Sequence, residues 1–127
     1  MALRSDFRIV AISAHFGDNA GDINTPLPFV GNQKVVTFTI DGQPREGYLL
    51  LNTFDVDNTQ HRVQINGTNL PTFDLVQNAG ANRWQTRMDS IPSGILKNGT
   101  NTLTIQRAAG TDNFLVDDIV VHWRESD

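Results

Sequence analysis

The chain has 127 residues, 39% of them hydrophobic and 19% charged, the size and balance of one globular domain spanning residues 1–127. Its formal charge of −4 and ten scattered Lys and Arg leave no electrostatic footprint for nucleic acid. With no cysteine, it has no disulfide framework, no thiolate zinc site and no cysteine nucleophile.

The start, MALRSDFRIV, carries Arg4, Asp6 and Arg8 and has no apolar run of signal-peptide length, and nothing later approaches a membrane span. A soluble protein without membrane insertion is expected, either cytoplasmic or exported by a non-Sec route. In chain order, short alternating segments are bounded by Gly, Asn, Asp and Pro, with almost no 3.6-residue period. The first predicted strand is Phe7 to Phe16, with Arg8, Val10, Ile12, Ala14 and Phe16 on one face. KVVTFTI follows, with Val36, Phe38 and Ile40 inward, and Asp41-Gly42 ends it as a turn. GYLLLNTFDV is apolar on both faces, as a central strand should be, and Tyr48 and Phe54 are expected in the core. HRVQI, TFDLV, RWQTRM, TLTIQRA and NFLVDDIVVHW complete a count of about eight strands, while one helical turn around Ser93 to Leu96 is the only room for helix. The prediction is an all-β, antiparallel two-sheet sandwich of jelly-roll type.

The tetrapeptide NGTN occurs at Asn66–Asn69 and again at Asn98–Asn101. Each copy sits between apolar segments, where Asn-Gly supplies the positive φ of a reversal, and the flanks INGTNLP and LKNGTNTL differ too much for an internal repeat. Both are also formal N-glycosylation sequons, but turn chemistry explains them without a sugar.

VQINGTNLP, Trp84, IPSGILKNGTNTLTIQRA and DNFLVDDIVVHW together resemble the galactose-binding-domain-like superfamily, in particular the β-sandwich carbohydrate-binding modules of glycosidases and polysaccharide lyases. Those modules carry an "iNG" turn, a proline-led stretch with "Lk-GtNtLtI", and a final strand with acidic residues. The likeness covers Tyr48 to Trp123 and rests mostly on turns and strands, with Leu103 and Ile105 entering the core. It implies a noncatalytic module that binds carbohydrate, often with a structural calcium ion.

In an antiparallel sandwich alternate loops share an end. GDNAGDINTPLPFVGN, DVDNTQ, QNAGANR and AAGTDN are therefore expected at one end, opposite DGQPRE, NGTNLP and DSIPSGILKNGTN. Carboxylates and amides concentrated there suit calcium, which takes hard oxygen ligands, or sugar hydroxyls. Asp18, Asp22 and Asn24 are candidate calcium ligands, with DVDN and its Asp55 and Asp57 as a rival; turn preference alone is the competing explanation. Asp117 and Asp118 are adjacent on the last predicted strand, so one of them should face inward, where a carboxylate needs a metal or hydrogen-bond donors. Trp84 follows the loop QNAGANR and could stack on a sugar ring, with Arg83, Asn82, Asn78 and Asp57 supplying directed hydrogen bonds; core packing is its competing role. Trp123 alternates with Val121 and Ile119 and reads as core.

His15, His61 and His122 lack zinc spacing, and no G-x-S-x-G elbow is present, so an enzyme is not expected. His15 and His122 would approach each other only if the first and last strands pair. Two readings remain: a small lectin or carbohydrate-binding module, or a structural or assembly domain of a phage particle or secreted complex. A homo-oligomer is compatible with both.

Overall fold

The structure, a computed structural model, describes residues 3–70 and 83–126. In chain order the strands are β1 (Leu3–Val10), β2 (Ala14–Phe16), β3 (Phe29–Gly31), β4 (Gln33–Ile40), β5 (Gln43–Phe54), β6 (Arg62–Ile65), β7 (Thr68–Asn69), β8 (Trp84–Ile91), β9 (Gly99–Gln106), β10 (Phe114–Val116) and β11 (Ile119–Ser126). One sheet runs β1-β11-β5-β10-β2-β3, with β8 on the other flank of β5; the second runs β4-β9-β6-β7. Among the described residues there is no helix, and Ser93 to Leu96 is a turn in which the Ile95 N–H donates to the Pro92 carbonyl. No helix of the described residues is long and apolar enough to cross a membrane.

Alternation places the core. On β9, Asn101, Leu103 and Ile105 are fully buried; on β4, Phe38 and Ile40 face the same way; and β11 adds Ile119, Val121 and Trp123 from the opposite sheet. The expected inward positions of Phe38, Ile40, Leu103, Ile105 and Trp123 hold, as does the central place of β5, which pairs with β8, β10 and β11.

Four expectations change. The first predicted strand breaks after Val10, because Ser13 takes φ 35° and the chain crosses from the β11 edge to the β10 side of the sheet. The last breaks likewise at Asp117–Asp118, separating β10 from β11. LPFV contributes β3, which pairs with β2 in parallel, so the described residues hold eleven short strands in place of the expected eight or so, and one pair among them is not antiparallel. Tyr48 and Phe54 are half-buried on the outer face, because the parity that sends Leu49 and Leu51 inward turns them outward. TFDLV lies outside the described residues.

Candidate functional site

Three of the four loops expected at one end meet there. Asp22 from the loop after β2, Asp55, Asp57 and Asn58 from the loop after β5, and Gly110, Thr111, Asp112 and Asn113 from the loop before β10 line an open, polar hollow of about 390 Å3. The fourth, QNAGANR, lies outside the described residues but for Arg83, so Asn78 and Asn82 cannot be placed in the hollow.

Asp112 anchors this hollow. Its Oδ2 accepts from the backbone N–H groups of Asp57 and Asn58, each at 3.1 Å, and from His61 Nε2 at 2.7 Å. The Ala108 N–H points at His61 Nδ1 at 3.0 Å, so the ring proton sits on Nε2, facing Asp112. His61 is completely buried and packed against the Phe114 ring at a tilt, so this pair ties the loop after β5 to the loop before β10 and offers no ring nitrogen to a ligand. The second Asp112 oxygen, Oδ1, is buried with no hydrogen-bond partner, and the side chain is 6% exposed. An unpaired carboxylate oxygen in this setting is costly unless something outside the protein meets it.

Asp55 is the second unusual group. Its φ is +62°, a left-handed conformation that Asp and Asn tolerate better than most residues. Desolvation, followed by the negative charges of Asp57, Asp112 and Asp22, pushes its carboxyl up to about 6. Four acids thus repel one another around one concavity. Among the described residues no three His, Asp or Glu side chains already close around a point as a metal cluster would.

An apolar hollow of about 360 Å3 adjoins the acidic one. Ile23, Asn24, Thr25, Pro26, Leu27, Phe54, Trp84, Leu115 and Asp117 line it, and chain neighbours divide between the two hollows, Asp22 and Ile23 on one segment and Phe54 and Asp55 on another. Trp84 opposes Phe54 across the β5–β8 pair, their ring centroids 5.6 Å apart, and it remains 48% exposed at the start of an edge strand. Its indole is half-exposed rather than packed in the core.

The candidate calcium ligands do not gather at one point. Asp22 faces the acidic hollow, Asn24 and Asp117 line the apolar one, and Asp18 accepts from Asn113 Nδ2 at 2.8 Å. The expectation that Asp117 or Asp118 faces the interior is wrong: the strand is interrupted there, Asp117 is half-buried and Asp118 exposed. Their carboxylates instead latch the break after β1. Asp118 Oδ1 accepts from the Ile12 N–H at 2.9 Å and from Ser13 Oγ at 2.8 Å, and Asp117 Oδ1 accepts from Ser13 Oγ at 3.0 Å. His15 and His122 stay apart, since His122 pairs with Phe7 on β1 and His15 with Leu115 on β10. Sequence reading placed Asp112 and Asp55 among the loop residues but missed the bond from Asp112 to His61, because no short spacing marks a bond between positions 51 residues apart.

Two packed sheets of this order, with polar loops clustered at one end, make the protein an all-β two-sheet sandwich whose fold is shared by solved carbohydrate binding modules. The chain belongs to the family of unknown function DUF7383, whose model matches residues 4–125. It is similar in fold to a family 35 carbohydrate binding module from an environmental isolate, with a TM-score of 0.58, 19% identity, and coverage of 95% of this chain and 92% of that one. Latent PorU from Porphyromonas gingivalis matches with a TM-score of 0.57 at 12% identity, over 99% of this chain and 13% of that one. The CBM36-1 domain of a multidomain xylanase from the hindgut metagenome of Trinervitermes trinervoides matches with a TM-score of 0.50 at 16% identity, over 91% and 96%. No curated protein matches the chain.

Proposed function

We propose that this protein is a noncatalytic carbohydrate-binding module, a small lectin that engages sugar through the loop end of the sandwich with the help of calcium. The observation that carries the reading is the open Trp84–Phe54 wall standing directly beside four clustered carboxylates. A sugar ring has an apolar face of C–H groups that stacks on an indole, and a polar rim that needs paired donors and acceptors. Trp84 and Phe54 supply the platform, and Asn24, Thr25 and Asp117 the polar contacts. Two solved structures of similar fold are described as carbohydrate binding modules, which supports the same ligand class.

Calcium fits the acidic hollow by donor chemistry. Asp22, Asp55, Asp57 and Asp112 carry hard anionic oxygens, Asn58 and Asn113 carry amide oxygens, and Asp112 Oδ1 lacks a partner. Asp57 and Asp22 are exposed, so their side chains are free to turn inward and complete a shell. The bound ion would neutralise the mutual repulsion and offer coordination to sugar hydroxyls. The protein's own residues orient the ring and exclude water from one face of it.

The same geometry supports a noncatalytic role. The one His–Asp pair beside the hollow has its histidine fully buried and bonded at both nitrogens, so it cannot exchange a proton with a ligand there. A glycan array probed with the purified protein in calcium, and again with chelator, tests the reading. Selective binding lost with chelator supports both parts, binding indifferent to chelator removes calcium from the site, and no binding to any glycan by folded, calcium-replete protein overturns the sugar reading.

A further inference from the structure

The outer face of the larger sheet carries an apolar surface that begins two rows from the Phe54–Trp84 pair of the loop end. Strand register lays Ile9, Val120, Leu50 and Met88 in one row across β1, β11, β5 and β8, and Phe7, His122, Tyr48 and Ser90 in the next. Ile9 is 66% exposed, Met88 69% and Phe7 54%. Tyr48 and His122 stack at 4.8 Å between them. Neither row contains an Asp, Glu, Lys or Arg. The adjoining row is charged, with Arg124 donating to Glu46 beside Tyr48 and His122.

We propose that this face binds the same face of a second copy of the chain, forming a two-fold symmetric dimer. Size is the first argument. Four strands lie side by side over Gly47–Leu50, three continue toward Leu3 through the Arg124–Glu46 row and two toward the Asn52–Thr86 pair; at about 4.8 Å spacing and about 3.4 Å per residue they present ~500 Å2 of plane per copy and ~1,000 Å2 across a pair, the charged row included. Protruding side chains add to this, and about 1,000 Å2 is what a specific interface needs. Composition is the second: an apolar centre with Met and aromatic residues, bordered by an ion pair, has the pattern of an interface core and rim. Symmetry is the third. A two-fold axis along the strands, between β11 and β5, lays β1 of one copy over β8 of the other, so Ile9 meets Met88 of the second copy on both sides at once. Two twisted sheets packed this way adopt the aligned geometry of a sandwich. The loop end, with Trp84 and the acidic hollow, lies beyond this area, so a dimer would present two sites together.

Sedimentation velocity on the purified protein from about 1 to 100 µM tests the proposal. The expected result is a species of twice the 14.1 kDa chain mass that dissociates on dilution. Ile9→Lys and Met88→Lys, on opposite edges of the face, should each give a monomer with an unchanged far-UV spectrum, and both being surface positions gives two independent chances that the fold survives. A monomer throughout the range, or a dimer that persists in both folded variants, overturns it. Neither outcome depends on sugar binding.

Discussion

Asn66, the first residue of one Asn-Gly-Thr-Asn, and Asn101, the last residue of the other, are joined side chain to side chain: Asn66 Nδ2 donates to Asn101 Oδ1 at 2.9 Å. Asn66 Nδ2 also donates to the Ile95 carbonyl, and its Oδ1 accepts from the Thr102 N–H. Asn101 is fully buried; its Oδ1 also accepts from the Lys97 N–H, and its Nδ2 donates to the carbonyls of Lys97 and Gly99. The first copy makes a two-residue hairpin between β6 and β7, with positive φ at Asn66 and Gly67 as a type I′ turn requires, whereas the second leads into β9. The two tetrapeptides are therefore halves of one polar staple between turns.

Asn101→Ala removes one end of that staple and leaves the Lys97 N–H and the Lys97 and Gly99 carbonyls without their side-chain partner. It should destabilise the protein by about 2–4 kcal/mol in urea titration, well beyond a surface substitution. Asn98→Ala, which loses only a bond to the Gly42 carbonyl, should cost about 1 kcal/mol or less.

Asp55 sets a pH signature. Its folded pKa of about 6 lies above the ordinary 3.8, so the fold binds this proton more tightly than the unfolded chain does. The stability it contributes is full below about pH 4 and is lost as pH rises through about 6. Without divalent ions, Asp55→Asn should therefore raise Tm at pH 7 and leave it almost unchanged at pH 4, read by calorimetry; each kcal/mol of relief corresponds to about 4 °C. Asn is the informative replacement because it keeps the left-handed backbone without strain.

Calcium should stabilise the native state through the same acids. At about 100 times its dissociation constant it adds ~2.7 kcal/mol, seen as a rise in Tm that chelator reverses. Asp112→Asn should abolish that rise. Asp18→Asn, at a residue outside the hollow's lining, should keep it.

His61→Phe preserves bulk in the core but leaves Asp112 Oδ2 without its shortest hydrogen bond and the Ala108 N–H without an acceptor. A loss of about 2–3 kcal/mol is expected in chemical denaturation. Hydrogen exchange should show faster opening at Asp57 and Asn58, whose N–H groups share the Asp112 oxygen.

Trp84→Ala should leave Tm almost unchanged, because the indole is half-exposed at an edge strand, yet lower sugar affinity at least about tenfold, or ~1.4 kcal/mol, by titration calorimetry. Unaltered affinity would move the binding surface away from the aromatic wall.

Residues that act through local chemistry were legible in the sequence. The two-residue alternation of KVVTFTI and TLTIQ determined which side chains enter the core, since strand parity leaves no other choice once one face is buried. Gly, Asn and Asp determined where the chain turns, but the expected strand count missed β3 and both strand breaks, so the meeting of the Asp22, Asp55 and Asp112 loops at one end belongs to the sheet pairing. Tertiary structure alone decided the rest. Asp117–Asp118 became a latch because Ser13 lies opposite them and breaks the strand, a contact more than 100 residues apart in sequence. Trp84 became a surface platform because β8 flanks β5 at an edge, and His61 became a buried brace because the Asp112 loop folds over it. Pairings between distant segments are set by how two sheets close over a common core, and no local pattern encodes them.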